Sequence, residues 1–133
     1  MTRNETKQYI IAILVSITIA IVAIFILSHT TNATSNPTVA DAKAYALHRL
    51  GPTQYTCLDQ IATRESHWNP RAHNPTTGAH GIFQAYPARK MAKYGKDYLT
   101  NPITQTRFGI AYTKTRYGSP CNAWAYWKLH GWY

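Results

Sequence analysis

Acidic side chains are scarce in this chain: five Asp or Glu stand against fourteen Lys or Arg, for a formal net charge of +9 at pH 7. Beyond Glu5 there is a single glutamate, Glu65, with Asp41, Asp59 and Asp97 as the remaining carboxylates. Paired-carboxylate chemistry therefore has very few places to sit. Cysteine is scarce as well. Only Cys57 and Cys121 occur, and the missing Cys-x-x-Cys spacing disfavours a Cys/His metal site. No internal repeat is visible, and no alternation of apolar and polar residues is sustained enough to require a sheet.

What the chain does have is one long apolar run. Residues 10–27 are Ile, Val, Ala, Leu and Phe, broken only by Ser16 and Thr18 and free of charge. That length is enough to cross the hydrocarbon core of a bilayer. Arg3 and Lys7 precede the run, and no Lys or Arg follows until Lys43, so the charge bias keeps the N-terminus in the cytoplasm and sends the remainder outside. A cleavable signal peptide is the alternative, with Thr31-Asn32-Ala33 as its cleavage site and Thr38-Val39-Ala40 too distant, but its apolar core is usually shorter. The expected organisation is a cytoplasmic tail at 1–9, a transmembrane signal anchor at 10–27, a Thr/Asn/Ser-rich tether at 28–38 and a working domain at 39–133. The domain then lies outside the cell membrane on a single span, or is secreted if the run is cleaved.

That exported portion carries twelve Lys or Arg against four acids, an excess that draws it towards polyanions by a salt-sensitive attraction. Anionic wall polymers or acidic lipids satisfy this. Nucleic acid does so too, but the anchor and the cysteine pair disfavour it. In an oxidising compartment Cys57 and Cys121 read as a disulfide, closing a loop of about sixty residues and stabilising the fold by roughly 4 kcal/mol.

Helix signals fill the domain. Thr38 caps a helix running through Val39, Ala42, Ala46 and Leu50, which Gly51-Pro52 stops. A second spans about 53–66, with Cys57, Leu58, Ile61 and Ala62 as its buried stripe, and Asn69-Pro70 forbids its continuation. Residues 69–81 are too rich in Pro, Gly, Asn and Thr for regular helix and read as a loop or small irregular β region. A third helix is expected over 87–94. Asn101-Pro102 opens a fourth that Gly118 closes, and Ser119-Pro120 opens a last one that stops at Gly131. About five short helices around one core make an all-α or α-dominated domain.

The most informative stretch is 64–84, where Glu65 ends a helix before a loop punctuated by Gly and Pro. Glu65-Ser66, Asn69-Pro70, Ala72, Gly78-Ala79, Gly81-Ile82 and Gln84 resemble the Glu-Ser and Gly-Leu-x-Gln motifs of soluble lytic transglycosylases. The similarity runs on through Arg116-Tyr117-Gly118-Ser119-Pro120-Cys121 to Tyr133. The resemblance implies a lysozyme-like fold and cleavage of peptidoglycan glycan strands. It implies further that Glu65 protonates the oxygen between N-acetylmuramic acid and N-acetylglucosamine. As a base it would then take the proton of the muramic 6-hydroxyl, which closes onto C1 as a 1,6-anhydro sugar. The substrate's own acetamido group can stabilise the cationic centre, so a second protein carboxylate is unnecessary.

The residues themselves are compatible with this. An acid that must hold its proton near neutral pH needs partial burial, and Ile61, Trp68 and Phe83 are candidate apolar neighbours of Glu65. Asp59, six helical steps earlier, lies about 120° away round the helix, and Asp97 sits in a turn-like stretch. Ser66, Gln84, Tyr126, Trp68 and Phe83 are the candidate substrate-binding residues. Tyr126 falls where the family often has an Ala-Tyr-Asn motif, although Trp127 stands here in place of Asn. Trp124, Trp127, Trp132, Tyr117 and Tyr133 supply further flat faces, at least half of them expected in the core.

Three other functions compete: a muramidase that adds water to the same bond, a non-catalytic basic wall-binding module, and a metallopeptidase using His67, His73 and His80. The histidines have no helical His-x-x-x-His spacing, and no metal or other cofactor is expected. No protein partner can be read from the sequence.

Overall fold

The computed structural model describes residues 2–29 and 35–133, with side chains for 2–22 and 35–133. Thr31-Asn32-Ala33 and part of the tether lie outside the described residues. The chain divides into two units, residues 1–35 and 36–133.

The first unit is one helix, α1 (Arg3–His29). Its 27 residues span about 40 Å, against a hydrocarbon core of about 30 Å. The apolar side chains described in it, such as Ile10, Leu14, Ile17 and Ile21, are exposed. By length and composition α1 can cross a membrane.

The second unit is helical, with no strand among the described residues. Helix α2 (Val39–Ser66) starts at a capping box: Thr38 Oγ1 accepts from the Asp41 amide at 3.2 Å and Asp41 Oδ2 accepts from the Thr38 amide at 2.8 Å. The stop read at Gly51-Pro52 is a kink instead. Gly51 leaves the helical region at φ 73°, ψ 166°, a conformation open to glycine, and helix resumes directly at Pro52 without a loop. Leu58, Ile61 and Ala62 of the second half are fully buried, while Cys57 is half-buried at the edge. The third expected helix is a 3₁₀ helix, Ala88–Tyr94, which buries Met91.

Helix α3 (Pro102–Tyr117) is capped by Asn101, whose Oδ1 accepts from the Ile103 and Thr104 amides, and ends at Gly118 in the left-handed region. Helix α4 (Pro120–His130) is capped by Ser119 and ends at Gly131 in the same way. Helix α2 packs on both α3 and α4, and α3 packs on α4 and the 3₁₀ helix. The Cys57 and Cys121 sulfurs are bonded, which ties the middle of α2 to the first turn of α4.

Between α2 and the 3₁₀ helix, residues 67–87 form irregular turns with isolated bridges His73–His80 and His80–Ala85 in place of a sheet. A buried amide holds this segment. Gln105 Nε2 donates to the Pro70 and Tyr98 carbonyls, each at 2.9 Å, and Gln105 Oε1 accepts from the Ile82 amide at 2.9 Å. Gly81 is required beside it: at φ 78°, a Cβ would stand 2.5 Å from Gln105 Oε1. Gly109 of α3 is required for a different reason, since a Cβ there would stand 2.6 Å from the Phe83 ring.

Candidate active site

The last turn of α2 carries Glu65, and the backbone just beyond it bends abruptly. His67 and Trp68 are both left-handed, at φ 54° and 61°, and the Trp68 amide closes back on the Ala62 carbonyl. Two successive non-glycine residues in that region store strain that the surrounding bonds must offset. One such bond comes from Ser66, whose hydroxyl donates to the Ile82 carbonyl at 2.8 Å and pins the loop to the helix end.

Glu65 is half-buried and lines a groove of about 850 Å³. Phe83, Gln84, Lys90, Tyr112, Arg116 and Tyr133 line it as well. Burial raises the Glu65 carboxyl above the ordinary glutamate range. A single hydrogen bond opposes that shift: Trp127 Nε1 donates to Glu65 Oε1 at 2.8 Å. The Trp127 ring is held by stacking on Trp124, centroids 5.3 Å apart, and by the Arg64 guanidinium at 5.8 Å. Tyr133 donates its hydroxyl to the Phe83 carbonyl at 3.1 Å, and burial, then the facing Glu65 charge, push its phenol well above the ordinary range.

The other carboxylates are engaged elsewhere. Asp59 accepts from Trp68 Nε1 at 2.8 Å and pairs with Lys43 at 3.4 Å. Asp97 accepts from Asn101 and Thr104, and Asp41 caps α2. Among the described residues, Glu65 is the one carboxylate that lines this groove.

The residues named from the sequence are not all gathered here. Gln84 lines the groove with its backbone at φ 45°, and its Nε2 donates to the Gly81 carbonyl at 3.0 Å, which leaves Oε1 available. Phe83 lines it too, but at 3% exposure its ring is a floor packed on Gly109, leaving no open stacking face. Trp68 is 4% exposed, edge-on to Phe83 and bonded to Asp59, so its ring is packed in the core and does not line the groove. Ser66 is a fastener of the loop and does not line the groove. Tyr126 does not line it either; its ring stacks on His130 at 3.9 Å and meets Trp132 edge-on. Sequence reasoning missed Trp127 as the partner of Glu65, Gln105 as the holder of the loop, and Arg116 and Lys90 as groove cations. The departure from Ala-Tyr-Asn at Trp127 was the one available signal.

His67, His73 and His80 do not converge on a common point. The His73 and His80 rings are 6.1 Å apart, a His80 ring nitrogen bonds the Leu99 carbonyl at 2.9 Å, and among the described residues no group of three metal-ligating side chains occurs.

Among known families, the transglycosylase SLT domain matches residues 52–128, more than half of the chain. The matched span contains Glu65, Gln84, Gln105 and Trp127. No curated protein and no solved structure gives a significant match.

Proposed function

The chain belongs to the transglycosylase SLT domain family, whose general role is peptidoglycan cleavage, and from that premise we propose that it is a lytic transglycosylase acting through Glu65. It cuts the β-1,4 bond between N-acetylmuramic acid and N-acetylglucosamine. Protonated Glu65 gives its proton to the bridging oxygen as the bond to C1 breaks. The resulting carboxylate then takes the proton of the muramic 6-hydroxyl, whose oxygen closes onto C1. No water enters, and the carboxyl returns to its starting state.

The observation that carries this reading is a half-buried carboxyl, raised in pKa by burial, that lines a groove of about 850 Å³ without a second carboxylate among its lining residues. Hydrolytic glycosidases ordinarily need two. Gln84, with its free amide oxygen, is the groove residue best placed to accept from a sugar hydroxyl or acetamide N–H. Helix α1 serves as a membrane anchor that leaves the basic domain on the wall side.

The test is digestion of purified peptidoglycan with product mass analysis. Wild-type protein should release anhydro ends, lighter by one water than the reducing ends a muramidase leaves. Glu65→Gln should slow release by at least about a hundredfold, the usual contribution of a positioned general acid. Cleavage undiminished in that variant would end the assignment.

A further inference from the structure

The groove holds one carboxyl, Glu65, and two cations. Arg116 enters it from the C-terminal turn of α3 and Lys90 from the 3₁₀ helix, and both are exposed. Arg116 is held in place by aromatic groups. Its Nη1 donates to the Tyr112 hydroxyl at 2.8 Å, and the guanidinium lies 5.6–5.8 Å from the rings of Tyr112, Tyr117 and Trp132. Neither cation has a carboxylate partner among the described residues, where Lys43–Asp59 is the single ion pair. Asp41, Asp59 and Asp97 are engaged with partners elsewhere, so the groove's positive charge is left for a ligand.

We propose that Arg116 and Lys90 form a carboxylate subsite that selects the charged substituent of muramic acid. This rests on the transglycosylase reading and deepens it. A glycan backbone of N-acetylated sugars is neutral, and its negative charge hangs from the lactyl ether of muramic acid. The charge is either the lactyl carboxylate itself, on a peptide-free strand, or the carboxylates of an attached stem peptide. A guanidinium already fixed against three rings loses little freedom on pairing with such a group, and its planar edge suits a carboxylate. Lys90 adds a mobile point charge in the same groove.

The experiment measures binding, so it does not depend on cleavage. Full-length Glu65→Gln protein in detergent is titrated against three labelled soluble strands: peptide-bearing, peptide-free with free lactyl carboxylates, and peptide-free with those carboxylates as methyl esters. The charged strands should bind about tenfold more tightly than the ester, the yield of two partly exposed pairs, and the advantage should shrink in high salt. Adding Arg116→Gln and Lys90→Gln should bring the ratio to within about twofold of unity, while Arg116→Lys, which keeps the charge without the planar edge, should give an intermediate ratio. A stem-peptide source is indicated if the peptide-bearing strand binds best, and a lactyl source if the two charged strands are equal. An ester that binds as well as the charged strands, or a ratio unmoved in the double variant, overturns the proposal. Cleavage of the same strands by protein with native Glu65 reports separately on the transglycosylase reading: no cutting with the ratio intact sinks that reading and leaves the subsite.

Discussion

At the scale of single residues, the proposed chemistry turns on a contest over one proton. Burial raises the Glu65 carboxyl and the Trp127 N–H lowers it, because an indole donor favours the ionised form. Removing the donor should therefore raise the carboxyl further. Trp127→Phe is expected to shift the alkaline limb of the kcat/KM profile to higher pH, since that limb reports loss of the free enzyme's acid proton. An unchanged limb would mean that Glu65 is not the titrating acid. The same group leaves a mark on stability. Its folded pKa lies above its unfolded one, so the unfolded chain loses this proton first and stability falls as pH rises from the ordinary glutamate range through the raised value. Glu65→Gln lacks that penalty and should melt higher than wild type at pH 7, with the gap closing towards pH 4. A variant that melts lower at pH 7 would contradict the burial argument. Little of this contest could be read in advance. The solitary glutamate was legible because acids are so few, whereas its tryptophan partner lies 62 residues away in sequence and is joined to it only by the packing of α4 on α2.

Elements were more legible than contacts, because caps act within one turn. Thr38, Asn101-Pro102 and Ser119-Pro120 open helices where local hydrogen bonding dictates, and Gly118 and Gly131 close them in the left-handed region. Gly51-Pro52 was legible as a break, but whether a glycine ends a helix or bends it depends on what the next segment packs against. The polar buried face of α3 was not legible at all. Gln105 is fully buried, against the usual pattern for a core helix, because it answers three backbone groups of the loop and its neighbourhood. Between elements, the covalent tie of α2 to α4 holds the wall that carries Glu65 to the helix that carries Trp127. Paired Cys57→Ser and Cys121→Ser changes should cost roughly 2–5 kcal/mol in denaturant unfolding. Activity at low temperature should also fall, because the indole bond to Glu65 loosens with the helix pair. A loss of stability under about 1 kcal/mol would show that the helix packing suffices without the bond.

At the scale of the whole molecule, charge and hydrophobicity are segregated along the chain. A charge-free apolar run fills most of α1, and twelve Lys or Arg lie beyond it. Under the proposed function this division suits an enzyme whose polymer substrate lies just outside a membrane: the helix would confine the protein to the surface, and the basic domain would be attracted to anionic material beyond it. Confinement by α1 is testable apart from catalysis. Expressed in a bacterium, the chain should stay in the membrane fraction through high salt and alkaline washing, which strip proteins held by charge alone. It should retain its full mass of 15.1 kDa there. Ile17→Arg puts a charge near the middle of the apolar run, at a cost of about 2.5–3.5 kcal/mol on insertion scales. The membrane-bound share should drop sharply in that variant while the outer domain keeps its melting temperature. A shortened, freely soluble product from the unaltered chain would instead make residues 10–27 a cleaved export signal, leaving the basic surface to hold the enzyme near its substrate.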